Sequence, residues 1–146
     1  MPVTPTSIVI RSATRDDMAD LWSVRYAVTE NTLTPGRISD AELLASIEDS
    51  GRGWVAQCEG LTVGFAIGML DGQVWALFVL PAYQGRGIGD ALHERMLAWF
   101  ASQPVPRLWL STGTQTRARQ FYLARGWQES GPYGSDEVRM ERGNPG

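Results

Sequence analysis

The sequence contains no lysine; its thirteen cationic side chains are all arginines. That absence alone excludes a P-loop, whose glycines must be followed by Lys-Ser or Lys-Thr. Cysteine occurs once, at Cys58, so no intramolecular disulfide can form. With a single histidine, His93, beside it, no zinc-ligand spacing exists either. Positive charge is not in excess: the formal net charge is −3 and the pI about 5.1, which argues against nucleic-acid binding. Residues 1–13 lack a basic stretch followed by a long apolar segment, and no run approaches membrane-spanning length. The expectation is a cytoplasmic protein with no membrane association. Repeats, low-complexity tracts and linkers are also missing. The 146 residues therefore read as one domain, 1–146, large enough to bury a core without staples.

What is present is concentrated between Val74 and Phe100. An apolar run from Trp75 to Leu80 is stopped by Pro81, which cannot donate to a sheet ladder. Gln84-Gly85-Arg86-Gly87-Ile88-Gly89 follows, and then apolar residues recur at Ile88, Ala91, Leu92, Met96, Trp99 and Phe100. Spacings of three and four put one stripe on a helix face. The unit is strand, glycine-rich turn, helix. Such a turn presents backbone N–H groups at the positive end of a helix, which suits a phosphate or pyrophosphate. Gly85, Gly87 and Gly89 permit close backbone approach and positive φ. The dinucleotide fingerprint does not match, because these glycines do not make G-x-G-x-x-G. What remains is Q-x-x-G-x-G, with Gln84, Gly87 and Gly89.

The rest of the chain can be read in order. Ser7 to Arg11 is a first strand, and Thr14 caps a helix carrying Met18, Leu21, Trp22, Arg25 and Tyr26 on one side. After a loop containing Thr34-Pro35-Gly36, Ser39 and Glu42 make a capping box for a second helix ending at Ser50-Gly51. Trp54 to Cys58 and Leu61 to Leu70 read as strands, the second with Leu61, Val63, Phe65, Ile67 and Met69 on one face. Asp71-Gly72 suits a two-residue hairpin into the central strand, Gln73 to Leu80. Arg107 to Ser111 is a short strand, parallel to the central one across a right-handed crossover. Gly113 to Arg125 reads as a helix, and Trp127 to Ser130 and Glu137 to Glu141 as closing strands around a Gly131-Pro132-Tyr133-Gly134 turn. The sum is α+β: a mixed, mostly antiparallel sheet with helices on both faces.

Two blocks carry a family resemblance. Leu77-Phe78-Val79-Leu80-Pro81 with the Gln84 to Gly89 loop resembles the acyl-CoA pyrophosphate loop of the GNAT superfamily of N-acyltransferases. Ala118-Arg119-Gln120-Phe121-Tyr122-Leu123-Ala124-Arg125-Gly126-Trp127 resembles the family segment A-x-x-F/L-Y-x-x-x-G-F. Family order matches the elements from Ile8 to Met140. It implies a three-layer α/β sandwich whose sheet of about seven strands splays at a central parallel pair. One departure is Gln115, where relatives often carry asparagine; the amide is kept but its reach changes.

The resemblance implies acetyl-CoA as co-substrate, no metal, and a primary amine as acceptor, either a small molecule or a peptide. The pantetheine arm would lie against the backbone of Leu77 and Val79, with the Leu77 or Phe78 amide near the thioester carbonyl and Gln115 beside the arm. The pyrophosphate would sit on the amides of Gly85, Arg86, Gly87, Ile88, Gly89 and Asp90. Tyr122 would protonate the departing thiolate; read without the resemblance, it is a half-buried aromatic anchoring a helix. No ionisable side chain occupies Gln73-Val74-Trp75-Ala76, where several relatives place a carboxylate. Glu30 or a water relay is then left for the base, and His93 reads as a solvated residue on the polar side of its helix. Trp22, Tyr26, Trp75 and Tyr133 are candidate walls of the acceptor pocket. The closing strand offers an edge for a homodimer, as is common among relatives. Two other readings stay open: a catalytically inactive acyl-CoA-binding sensor or scaffold, and an interaction domain without CoA.

Overall fold

The computed structural model of the protein describes residues 8–28, 39–114 and 116–145. Glu30, Asn31, Thr34-Pro35-Gly36 and Gln115 lie outside the described residues. The elements run β1 (Ile8–Ser12), α1 (Met18–Ala27), α2 (Asp40–Glu48), β2 (Gly51–Cys58), β3 (Leu61–Met69), β4 (Val74–Val79), α3 (Ile88–Ala101), β5 (Arg107–Gly113), α4 (Arg117–Leu123), β6 (Gln128–Tyr133) and β7 (Glu137–Gly143). Local signals account for several boundaries. Thr14 N–H donates to the Asp17 carboxylate at 2.8 Å ahead of α1. Glu42 N–H donates to Ser39 Oγ at 3.1 Å, closing the expected capping box at α2.

The strands form two antiparallel sheets, β1-β2-β3-β4 and β5-β7-β6. They meet through one parallel bridge, Gln73 to Trp109, with Trp109 N–H donating to Gly72 O at 3.0 Å. Beyond that bridge β4 and β5 diverge, as a splayed parallel pair should. Apolar side chains fill both faces. Leu92, Met96 and Phe100 of α3 pack with Trp54, Val63 and Ala66 and, from the second sheet, with Leu108, Leu110 and Met140. On the opposite face Leu21, Val24, Leu43 and Ile47 of α1 and α2 cover Val55, Phe65, Ile67 and Ala76. The small residues of β3 let α3 lie close: a Cβ on Gly64 would sit 3.2 Å from Leu92 Cδ1, and one on Gly68 2.9 Å from Phe100 Cζ. Among the described residues no helix is long and apolar enough to cross a membrane.

Several expected boundaries shift. A bulge opposite Ala56 and Gln57 turns Val63 onto the α3 face, so it does not share a face with Phe65 and Ile67. The hairpin at Asp71-Gly72 is wider than two residues. Gly72 N–H bonds Met69 O, Met69 N–H bonds Gln73 O, and Gly72 takes φ +96°, a turn followed by a glycine bulge. β5 continues to Gly113 because β7 pairs along its whole length, so α4 starts only at Arg117, capped by Thr116. Pro132 and Tyr133 belong to β6, not to a turn; β6 is an edge strand, where proline is tolerated.

Candidate active site

A cleft of about 410 Å³ lies between the end of β4, the start of α3 and α4. One wall is the free edge of β4. Leu80 N–H donates to Val63 O, and Phe78 lies opposite Phe65. Alternation then directs the backbone groups of Ala76 and Phe78 into the ladder, and those of Leu77 and Val79 into the cleft. The Phe78 amide is therefore committed to β3, which leaves Leu77 as the amide facing the opening. Phe78 still contributes its side chain to the lining.

At the wide end the chain turns through Pro81–Tyr83 and the glycine loop. Gly85 and Gly87 take φ of +79° and +83°, and Gly87 is the residue preceding the first turn of α3. A Cβ at either would meet nothing within 4 Å, so conformation and not crowding selects glycine there. Gly89 differs. It lies inside α3 without a positive φ, and a Cβ there would make ordinary contact with the Phe121 ring at 3.4 Å, so neither conformation nor crowding demands glycine. The first backbone bond of α3 joins Ala91 N–H to Gly87 O, leaving the N–H groups of Ile88, Gly89 and Asp90 without intrahelical acceptors. Those donors and the positive helix end suit an anion. The Asp90 carboxylate would oppose one, but Arg125 Nε pairs with it at 2.9 Å. The Arg86 guanidinium stacks over the Tyr83 ring, 5.1 Å from its centre.

The opposite wall is α4, whose residues Ala118, Phe121 and Tyr122 share one face, with Arg125 in the turn that follows it. Tyr122 is 6 % exposed, lines the cleft, and has no hydrogen-bond partner for its hydroxyl among the described residues. Burial drives its ionisation above the ordinary phenol range, against the pull of Arg125. Gln84 links the two walls: its amide nitrogen donates to Val79 O at 3.2 Å, and Arg117 donates to its oxygen at 2.6 Å.

The cleft thus brings together Leu77, Phe78, Val79, Gln84, Gly85, Gly87, Gly89, Asp90 and Tyr122. Tyr83, Arg117, Phe121 and Arg125 join them, unassigned in the sequence reading. The spacing 118, 121, 122 was the available signal for the α4 members. The expected acceptor walls are not brought together as a set. Trp22 stacks on Tyr26 at 5.7 Å, donates to Asp40 at 2.7 Å, and shares a small crevice with Trp75. Tyr133 lies on the other sheet, against Trp109 at 6.2 Å. None of the four lines the cleft.

His93 requires correction. It is 1 % exposed, not solvated, and packs against Phe121, Tyr122 and Trp127. α3 buries a second ridge, His93 and Leu97, beside the stripe Ile88, Leu92, Met96 and Phe100.

Comparison with known proteins agrees with this geometry. Residues 49–129 match the family model described as the acetyltransferase (GNAT) domain. The chain belongs to the GNAT family of N-acetyltransferases. It is 34% identical over 147 residues to an uncharacterized N-acetyltransferase of Archaeoglobus fulgidus, covering 87% of this chain and 99% of that protein. It is 30% identical over 106 residues to the L-2,4-diaminobutyric acid acetyltransferase of Nocardia farcinica, spanning 68% of this chain and 53% of that one. In fold it is similar to the PaiA N-acetyltransferase of Thermoplasma acidophilum, solved in complex with coenzyme A. The TM-score is 0.82 at 18% identity, over 94% of this chain and 99% of that one.

Proposed function

We propose that the protein moves an acetyl group from acetyl-CoA to a primary amine by direct attack while both are bound. The observation that carries this reading is one cleft lined by three kinds of group. They are the open backbone edge of Leu77 and Val79, the free amides at the start of α3, and the buried phenol of Tyr122. The edge fits an amide-bearing arm, the amides fit a pyrophosphate, and the phenol fits a departing thiolate. Acetyl-CoA, when bound, supplies an activated acyl carbon on a thiol leaving group.

The chain's residues then do four things. Leu77 and Val79 hold the arm in register along β4. The amides of Gly87 to Asp90, with Arg125 neutralising Asp90, fix the phosphate end. The Leu77 N–H, directed into the cleft, would stabilise the negative charge that develops at the carbonyl oxygen. Tyr122 gives its proton to sulfur as the carbon–sulfur bond breaks and the carbon–nitrogen bond forms. The attacking amine loses its own proton to Glu30 or to a water relay, and solvent restores the phenol. Gln115 stays a candidate contact to the arm. No catalytic base is needed inside the cleft if the amine arrives neutral. Retention of Tyr122 in the cleft is what disfavours an inactive sensor.

The test is free-CoA release from acetyl-CoA against amino acids, polyamines, aminoglycosides, arylamines and peptides with free N-termini. Release with one class is expected. Titration of tryptophan fluorescence with acetyl-CoA runs beside it, and Gly87→Asp should abolish binding by placing a side chain and a negative charge at the anion site. Unchanged affinity in that variant would remove the loop from the donor site.

A further inference from the structure

Among the described residues, His93 is the one buried titratable group facing the α4 wall that the chemistry above leaves unused. Its Nε2 accepts a hydrogen bond from the Trp127 indole N–H at 3.1 Å. An accepting Nε2 places the proton of the neutral ring on Nδ1, and Nδ1 is buried with no partner among the described residues. A leucine at this position would avoid burying an unmatched donor, so the core alone does not explain the residue. What the histidine does reach is the end of α4. Trp127 is tied by its backbone N–H to Tyr122 O at 3.1 Å, and its ring packs 5.5 Å from the Tyr122 ring. The imidazole itself meets Phe121 edge-on at 5.6 Å and Tyr122 at 6.2 Å. α4 is only seven residues long, so its own ladder does little to hold it in place.

We propose that His93 is a positioning residue for Tyr122, holding the phenol in place by anchoring Trp127 to α3. The inference rests on the reading of Tyr122 as the proton donor. The charged groups near the ring are Arg125 and Arg142, with Asp90 on the same helix; Arg142 also donates to Arg125 O at 3.0 Å, closing the turn after α4.

The experiment is a double-mutant cycle read as turnover per acetyl-CoA-binding site, which removes any difference in folded fraction. The acceptor is the amine that gives CoA release in the panel. His93→Leu and Trp127→Phe should each lower turnover about tenfold or more, with acetyl-CoA affinity changed by less than about twofold. His93→Gln, whose amide oxygen can accept the indole N–H, should keep near-normal turnover. Adding His93→Leu to Tyr122→Phe should cost nothing further, because the group being positioned is already gone. A readout independent of the acceptor is the fluorine resonance of 3-fluorotyrosine at position 122, assigned by its loss in Tyr122→Phe. It should move in His93→Leu and Trp127→Phe and stay in His93→Gln. Additive losses in the cycle, or an unmoved resonance with full turnover in both single variants, would overturn the proposal. Full turnover in Tyr122→Phe itself would instead remove the proton-donor reading on which it rests. Should His93→Leu fail to fold, Trp127→Phe carries the same test.

Discussion

Tyr122 and His93 lie 6.2 Å apart, ring centre to ring centre, and burial moves their proton equilibria in opposite directions. Each shift favours the neutral form. For the phenol this means the acid stays protonated through the whole working range, so ionisation of Tyr122 should produce no loss of turnover below pH ~10. Tyr122→Phe should lower turnover by roughly 10²-fold or more while acetyl-CoA affinity stays within about twofold. Equal turnover in the two proteins would assign the proton to water. For the imidazole, desolvation first and then Arg142 and Arg125 bring the pKa down from 6.5 to about 4. Between those values the unfolded chain binds a proton that the folded one refuses. Stability is therefore full above pH 6.5 and is lost as pH falls toward 4. At about 1.4 kcal/mol per pH unit the loss is roughly 3 kcal/mol. Urea unfolding at pH 7 and pH 4.5 checks this, with His93→Gln losing clearly less than the parent. The carboxylates held below their ordinary range by hydrogen-bonding partners, Asp17, Glu48 and Glu141, also lose stability as pH falls, but equally in both proteins, so the difference between the two reports His93. Identical losses in both proteins would mean that His93 is protonated without unfolding.

At the scale of elements, α3 and α4 are clamped at the mouth of the cleft by Asp90 and Arg125. Arg125 also covers the Phe121 ring at 3.6 Å. Removing Arg125 leaves a carboxylate facing an anion site. Arg125→Ala should weaken acetyl-CoA binding about five- to tenfold, and Asp90→Asn in the same protein should restore part of it. No recovery in the double variant would separate Arg125 from Asp90. The unit β4, glycine loop and α3 was legible from residues alone. The role proposed for it runs through main chain and glycine conformation, and both leave marks in sequence as Pro81, Gly85 and Gly87. The capping box at Ser39 and Glu42 was legible for the same local reason. His93 was not, because a single stripe describes a helix packed on one side, and α3 is packed on two. Nor was the bulge at Val63, since alternation carries no sign of an inserted residue until the partner strand is known. The late start of α4 depends on β7 pairing far along β5, a contact between residues distant in sequence.

At the scale of the whole molecule, two sheets are joined edge to edge at one place, and the width of the cleft depends on that joint. Sequence could predict a parallel pair; that the pair parts after one bridge goes with the packing of α3 and α4 against the strands on both sides of the joint, contacts between residues distant in sequence. Gly72 stands at the joint. It holds φ +96° in the β3–β4 turn, its carbonyl receives the Trp109 N–H at 3.0 Å, and a Cβ there would lie 2.6 Å from Arg107 O and 2.9 Å from Val105 Cγ2. Alanine at this position faces two penalties, a left-handed backbone costing about 1–2 kcal/mol and a backbone oxygen that cannot yield without moving β5. Gly72→Ala should therefore destabilise the protein by roughly 2–3 kcal/mol in urea unfolding. Because the displaced strand leads directly into α4, the opposite wall of the cleft, acetyl-CoA affinity should fall as well, although position 72 is not among the residues lining it. A stability loss with unaltered affinity would mean that the divergence of β4 and β5 is held by the helices alone. Coupled losses would make the single bridge the hinge that sets the donor cleft.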